Sequence, residues 1–170
     1  MELTVEDQRE LDKILSKYTV IPIMKAWENY LKWADALESG EYSQTRNVLR
    51  DENGYCCLGV LCDVSKLGEW IKHDDEDGLL DPEQLFTYKC FDEGERNDVL
   101  PEDVMGFIGD YSDTNPYILE EGGSDFIARG KVEFSELNDT LGLNFKQIAA
   151  IIRLGVELGK MRQEMLNNGD

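Results

Sequence analysis

Three of the four cysteines, Cys56, Cys57 and Cys62, fall within the run GYCCLGVLCDV, Gly54 to Val64. Cysteine has the widest chemical repertoire in this chain, because a thiolate can ligate a metal or attack an electrophile. Zinc takes four nitrogen or sulfur ligands, usually as two short-spaced pairs. The run supplies one half of such a set. For the other half only Cys90 and His73 remain, and neither has a close mate. Adjacent Cys56 and Cys57 also diverge by about 100° on a helix, or point to opposite faces of a strand. A nucleophile would gain reactivity at a helix start, where Cys56 or Cys57 would sit. Its base would have to be His73, the single histidine, in IKHDDEDG beside four consecutive acids. Free cysteine, by contrast, packs as a small hydrophobe and is among the most buried residue types. CCLGVLC therefore reads as core, with Gly59 allowing a neighbouring element to approach. The expectation is no catalytic residue, no metal and no cofactor, with a cysteine-dependent enzyme as one alternative.

The stretch HDDEDGLLDPEQ matches a calcium loop at Asp75, Asp77 and Gly78. His73 stands at the first ligand position and Gln84 at the bidentate one, so the two most demanding ligands are missing. No phosphate-binding loop, dinucleotide fingerprint, zinc-protease helix or serine-nucleophile elbow occurs.

Charge says more. The chain carries 36 acids against 17 bases, a net of −19. Residues 1–73 sum to −4 and residues 126–170 to zero, whereas residues 74–125 hold 17 acids and only Lys89 and Arg96, a net of −15. Such a segment repels nucleic acid and attracts basic protein surfaces. Direct nucleic-acid binding is not expected, since affinity there comes largely from Lys and Arg on phosphates. The candidate protein contacts are Asp74, Asp75, Glu76, Asp77, Asp92, Glu93, Glu95, Asp98, Glu120 and Glu121. A small anionic ligand would instead need Arg46, Arg50, Arg129 and Lys131. No apolar run is long enough to span a membrane. The acidic start MELTVEDQRELDK is not a secretory signal, and four cysteines without one point to the reducing cytosol.

The elements that must position these groups follow from periodicity. At 170 residues, 41% apolar, the chain suits a single domain, 1–170, with the acidic segment 74–125 inside it. Thr4 and Asp7 resemble a capping box before a stripe of Leu11, Ile14, Leu15 and Tyr18. Pro22 suits the first turn of a second helix, whose stripe Ile23, Trp27, Tyr30, Leu31, Ala34 and Leu37 ends at Ser39–Gly40. Asn53–Gly54 predicts a tight turn or hairpin, and residues 57–67 a helix. Residues 68–84 read as turn-rich, residues 85–91 as the best strand, and residues 109–125 as loop. Pro101 suits a first helical position, and Asn144 caps a last helix with Phe145, Ile148, Ile151, Ile152 and Val156 facing the core. The predicted class is α+β, helix-dominated, with a small central antiparallel sheet or hairpin.

In order, AWENYLKWADALESGEYSQT, GYCCLGVLCDV, LPEDV and LNDTLGLNFKQIAAII resemble a family of small accessory proteins of tailed bacteriophages, over about Ala26 to Ile152. The block around Cys56–Cys62 is the most specific part; the acidic middle departs from the pattern. The resemblance implies a viral protein acting in the cytoplasm of an infected bacterium and carries no catalytic residues over. With the charge, it leads to the expectation of a non-enzymatic inhibitor. Such an inhibitor would bind a host defence or nucleic-acid-binding protein through an acidic surface able to imitate DNA. The alternative is a binder that sequesters a small nucleotide immune signal. The expected partner is a host protein with a basic surface, with no direct nucleic acid and no membrane; a homo-oligomer stays open.

Overall fold

Two helices carry the core because each presents an apolar stripe that packs largely against the other. Helix α2 (Trp27–Glu38) buries Tyr30, Trp33, Ala34 and Leu37, and the final helix α7 (Phe145–Asn168) buries Ile148, Ile151, Ile152 and Val156. Their exposed edges are fastened by Arg153, whose guanidinium donates to Glu38 at 3.0 Å twice and to Asp35 at 2.6 Å. The computed structural model describes residues 2–90, 96, 100–110, 115–121 and 130–169. The fold is α+β and helix-dominated.

Around that pair the chain runs α1 (Val5–Lys17), β1 (Tyr18–Val20), α2, α3 (Cys57–Ser65), β2 (Gly68–Lys72), α4 (Pro82–Leu85) and β3 (Phe86–Cys90). It continues through α5 (Glu102–Phe107), β4 (Tyr117–Glu121), β5 (Lys131–Glu133), α6 (Phe134–Asp139) and α7. The strands form two small antiparallel sheets, β1-β4-β5 and β2-β3. Buried residues of both helices and sheets join one hydrophobic cluster, centred on Trp33 and Phe134 with ring centroids 4.7 Å apart. Among the described residues no helix is long and apolar enough to cross a membrane.

Three local expectations change. Helix α2 starts at Trp27, not near Pro22, because the backbone of 21–25 bonds elsewhere. Ile23 N–H donates to Gly155 O at 2.9 Å, Ile21 N–H to Ile118 O at 2.8 Å, and Trp27 Nε1 to Ile23 O at 2.5 Å. Gly159 permits this crossing: a Cβ there would lie 1.6 Å from Ile23 O. Residues 68–72, read as turn, form β2, and residues 117–121, read as loop, form the central strand of the larger sheet. Asn53–Gly54 does make the tight turn, closed by a single antiparallel bridge between Arg50 and Tyr55 rather than by two named strands: Asp51 N–H donates to Gly54 O and Gly54 N–H to Asp51 Oδ1.

The long loop 39–56 is held from below by Asn138 of α6, which is wholly buried. Its Oδ1 accepts from Gln44 Nε2 at 2.7 Å and Cys57 N–H at 3.3 Å. Its Nδ2 donates to Thr45 O at 2.9 Å and Asp139 Oδ1 at 2.7 Å, and its backbone carbonyl accepts from Arg46. A Cβ at Gly59 would sit 1.8 Å from Leu49 O, so the same loop also presses on α3.

Asn138→Ala removes four side-chain hydrogen bonds and strands buried partners. Unfolding by urea should show a loss on the order of 3 kcal/mol. Gly59→Ala should also lower stability, because backbone rather than a flexible side chain would have to yield.

Candidate interaction surface

The thiols come first, since they decide what chemistry is open. Cys56 caps α3 from an extended backbone, its Sγ accepting the Gly59 N–H at 3.4 Å. Cys57 Sγ donates to Phe134 O at 3.3 Å. All four cysteines are buried and none is in a disulfide. Burial pushes the Cys56 thiol up to about 12, against partial opposition from the Gly59 N–H. It pushes Cys57 and Cys62 well above the ordinary thiol range. A thiol so placed stays protonated and shielded, and nucleophilic attack needs the reverse. His73 Nε2 lies 3.0 Å from Thr87 Oγ1 of β3. Among the described residues no group of three or more metal-ligating side chains is gathered.

The carboxylates sit outside. After β2 the chain turns through Asp74, Asp75, Glu76 and Asp77 before α4. Asp74, Glu76 and Asp77 are exposed. Asp75 is half-buried because it builds the turn: its Oδ1 accepts the Leu80 N–H at 3.0 Å and its carbonyl the Gly78 N–H at 3.1 Å. Gly78, at φ +65°, takes the left-handed position that glycine tolerates best. Asp81 and Gln84 then close a capping box on α4. Glu120 and Glu121 lie instead on β4, in the other sheet, where Glu120 stands opposite Lys131 in the ladder. The structure thus places the described acids in two separate regions, the turn between β2 and α4 and strand β4 of the other sheet. Asp92, Glu93, Glu95 and Asp98 lie outside the described residues.

The bases of the alternative site are also distributed. Arg46 reaches down to the Asn138 carbonyl. Arg50 stacks on three rings, with centroids 4.9 Å away for Tyr55, 5.4 Å for Trp70 and 4.5 Å for Phe86. Lys131 lies on β5 over Tyr117 at 5.7 Å, and Arg129 lies outside the described residues. Periodicity alone missed the ladder that Arg50 completes. Tyr42, Tyr55, Trp70 and Tyr88 stack edge to face at centroid distances of 5.1, 5.7 and 4.9 Å. Asp63 accepts from Tyr42 Oη at 2.5 Å and Trp70 Nε1 at 3.1 Å, fixing two of the rings. Burial first, and the bond to Asp63 second, push the Tyr42 hydroxyl well above its ordinary range. The one sequence signal was β-alternation of aromatics in 86–90, which says nothing of Tyr42 or Tyr55.

Fold and surface together define an α+β protein with thiols inside and carboxylates outside. Residues 27–155, about three quarters of the chain, match the model of a domain of unknown function, DUF8296, and the chain belongs to that family. No curated protein and no solved structure matches the chain.

Two measurements check the thiols. Alkylation of the folded protein at neutral pH should be far slower than in denaturant; equal rates would contradict burial. For stability, Cys56 is raised above its unfolded range, so its contribution is complete below about pH 9. That contribution should be lost as pH climbs through about 12, seen as a melting temperature that falls on the alkaline side.

Proposed function

We propose that this chain is a non-catalytic binding protein that docks its acidic central segment on the basic surface of a protein partner. The observation that carries the reading is the concentration of charge: 17 acids against two bases in residues 74–125. Asp74, Glu76 and Asp77 are exposed on a turn that Asp75 braces. A face bearing carboxylates competes for the Lys and Arg side chains that otherwise hold phosphates, which duplex DNA presents at one charge per about 1.7 Å of axis. A nucleic-acid-binding protein is therefore the partner class that fits, and inhibition by occupying its groove is the consequence. The resemblance to small tailed-phage proteins makes a host defence protein in the bacterial cytoplasm the first place to look. Burial of every thiol removes the nucleophile on which the enzyme alternative depended. The nucleotide-binding alternative draws no support from Arg46, Arg50 and Lys131, which engage three separate parts of the chain: the Asn138 carbonyl, a set of rings and Tyr117.

Immobilised protein should capture a basic protein from bacterial lysate and release it at about 0.5 M salt, where screening falls to roughly 4 Å. Duplex DNA should compete. The triple variant Asp74→Asn, Glu76→Gln, Asp77→Asn spares the brace at Asp75. It should keep its melting temperature and weaken binding about ten- to hundredfold, at roughly 0.5–1 kcal/mol for each lost contact. A partner that survives high salt, or is indifferent to the variant, overturns the proposal.

A further inference from the structure

The chain holds two Asn–Gly pairs, Asn53–Gly54 and Asn168–Gly169. Such a pair is prone to deamidation, because glycine has no side chain to keep its backbone nitrogen away from the preceding asparagine. The reaction is redox-neutral and needs only water. The glycine nitrogen gives its proton to solvent and bonds to the asparagine Cγ, and the Cγ–Nδ2 bond breaks to release ammonia. Water then opens the cyclic imide at either carbonyl, leaving aspartate or isoaspartate and one more negative charge.

The two pairs are held very differently. Asn53 is exposed, yet its peptide is locked. Asp51 Oδ1 accepts both the Asn53 N–H at 2.7 Å and the Gly54 N–H at 3.0 Å, and Gly54 O accepts the Asp51 N–H at 2.9 Å. Thr45 steadies the same carboxylate, its hydroxyl donating to Asp51 Oδ2 at 2.6 Å. Residues 43–45 close in from the other side: Tyr55 N–H donates to Ser43 O and Thr45 N–H to Tyr55 O, each at 2.8 Å. A Cβ on Gly54 would lie 2.1 Å from Ser43 O, so this backbone has no room to swing. Closing the imide requires the Gly54 nitrogen to turn towards Asn53 Cγ and to lose its proton. The lock opposes the first, and the Asp51 charge beside that N–H opposes the second.

Asn168 has none of this. It is the last residue of α7, well past the final buried position, Gly159. It is exposed, and its side chain makes no hydrogen bond among the described residues. Helix ends open at almost no cost, which frees the backbone there to reach the closing geometry.

We propose that deamidation is directed to the end of α7: Asn168 is the modification site, and the Asp51 lock withholds Asn53 from it. A carboxylate formed at residue 168 stands at the carbonyl end of the helix, where the dipole disfavours negative charge, so the modification loosens the last turn. Neither pair belongs to the acidic turn, and the docking reading and this one can fail separately.

The full chain is aged in mildly alkaline buffer, folded and in denaturant, and peptide mass spectrometry follows both asparagines. In denaturant the two should react at similar rates. In the folded chain Asn168 should keep nearly its denatured rate, whereas Asn53 should slow about thirtyfold, as expected when two hydrogen bonds must open first. Asp51→Ala should restore reaction at Asn53 without speeding Asn168, and Gly169→Ala should silence Asn168 alone. Asn53 reacting as fast folded as denatured overturns the proposal, as does Asn168 lagging behind Asn53 in the folded chain. So does a folded Asp51→Ala protein in which Asn53 stays protected; if that variant does not fold, the folded-to-denatured ratio of the unmutated chain decides.

Discussion

One buried amide organises much of this molecule. Asn138 has no contact with water, so each of its polar atoms must find protein, and it finds three different pieces of chain. It holds Gln44 and Thr45 of the long loop, the first amide of α3, and its own neighbour Asp139. A half-satisfied group of this kind would cost more than an apolar side chain, and a fully satisfied one selects a single arrangement. The loop so fixed delivers Leu49 onto Gly59 and sets Arg50 and Tyr55 against β2 and β3. The position of the thiol helix and that of the aromatic ladder therefore share one origin.

The scarce cations are spent on architecture. Arg153 ties α7 to α2, Arg46 supports α6, and Arg50 is surrounded by rings rather than carboxylates. With 17 bases against 36 acids, and these three arginines committed to architecture, uncompensated carboxylate is left at the surface. Asp75 and Asp63 show the exception, acids drawn inward to accept backbone or indole N–H groups. What remains at Asp74, Glu76 and Asp77 is charge with no internal bond to make among the described residues, the condition for meeting another molecule.

The helical half of the fold was legible because caps and stripes are local signals. Thr4, Asn144 and the apolar spacing of residues 27–37 are written within one or two turns, and the corresponding helices form. Burial of Cys56, Cys57 and Cys62 was legible for the same reason: an unbroken apolar run has nowhere else to go. What escaped depends on partners far along the chain. β2 exists because β3 pairs with it, and β4 because β1 and β5 flank it. Pro22 failed to start a helix because Gly155, more than a hundred residues later, takes the Ile23 amide. Asn138 carries no distinguishing neighbours in sequence; only its surroundings in space reveal it as saturated.

Sulfur is sorted by position. Every thiol is enclosed, while α7 runs nine residues past its last buried residue, Gly159, and displays Met161 and Met165 at 59% and 73% exposure. Peroxide would therefore reach thioether before thiol, and sulfoxide at those methionines is a lesion that cellular reductases can reverse. Oxidation would thus fall first on a helix end that lies outside the packed core, while the thiols stay out of the exchange.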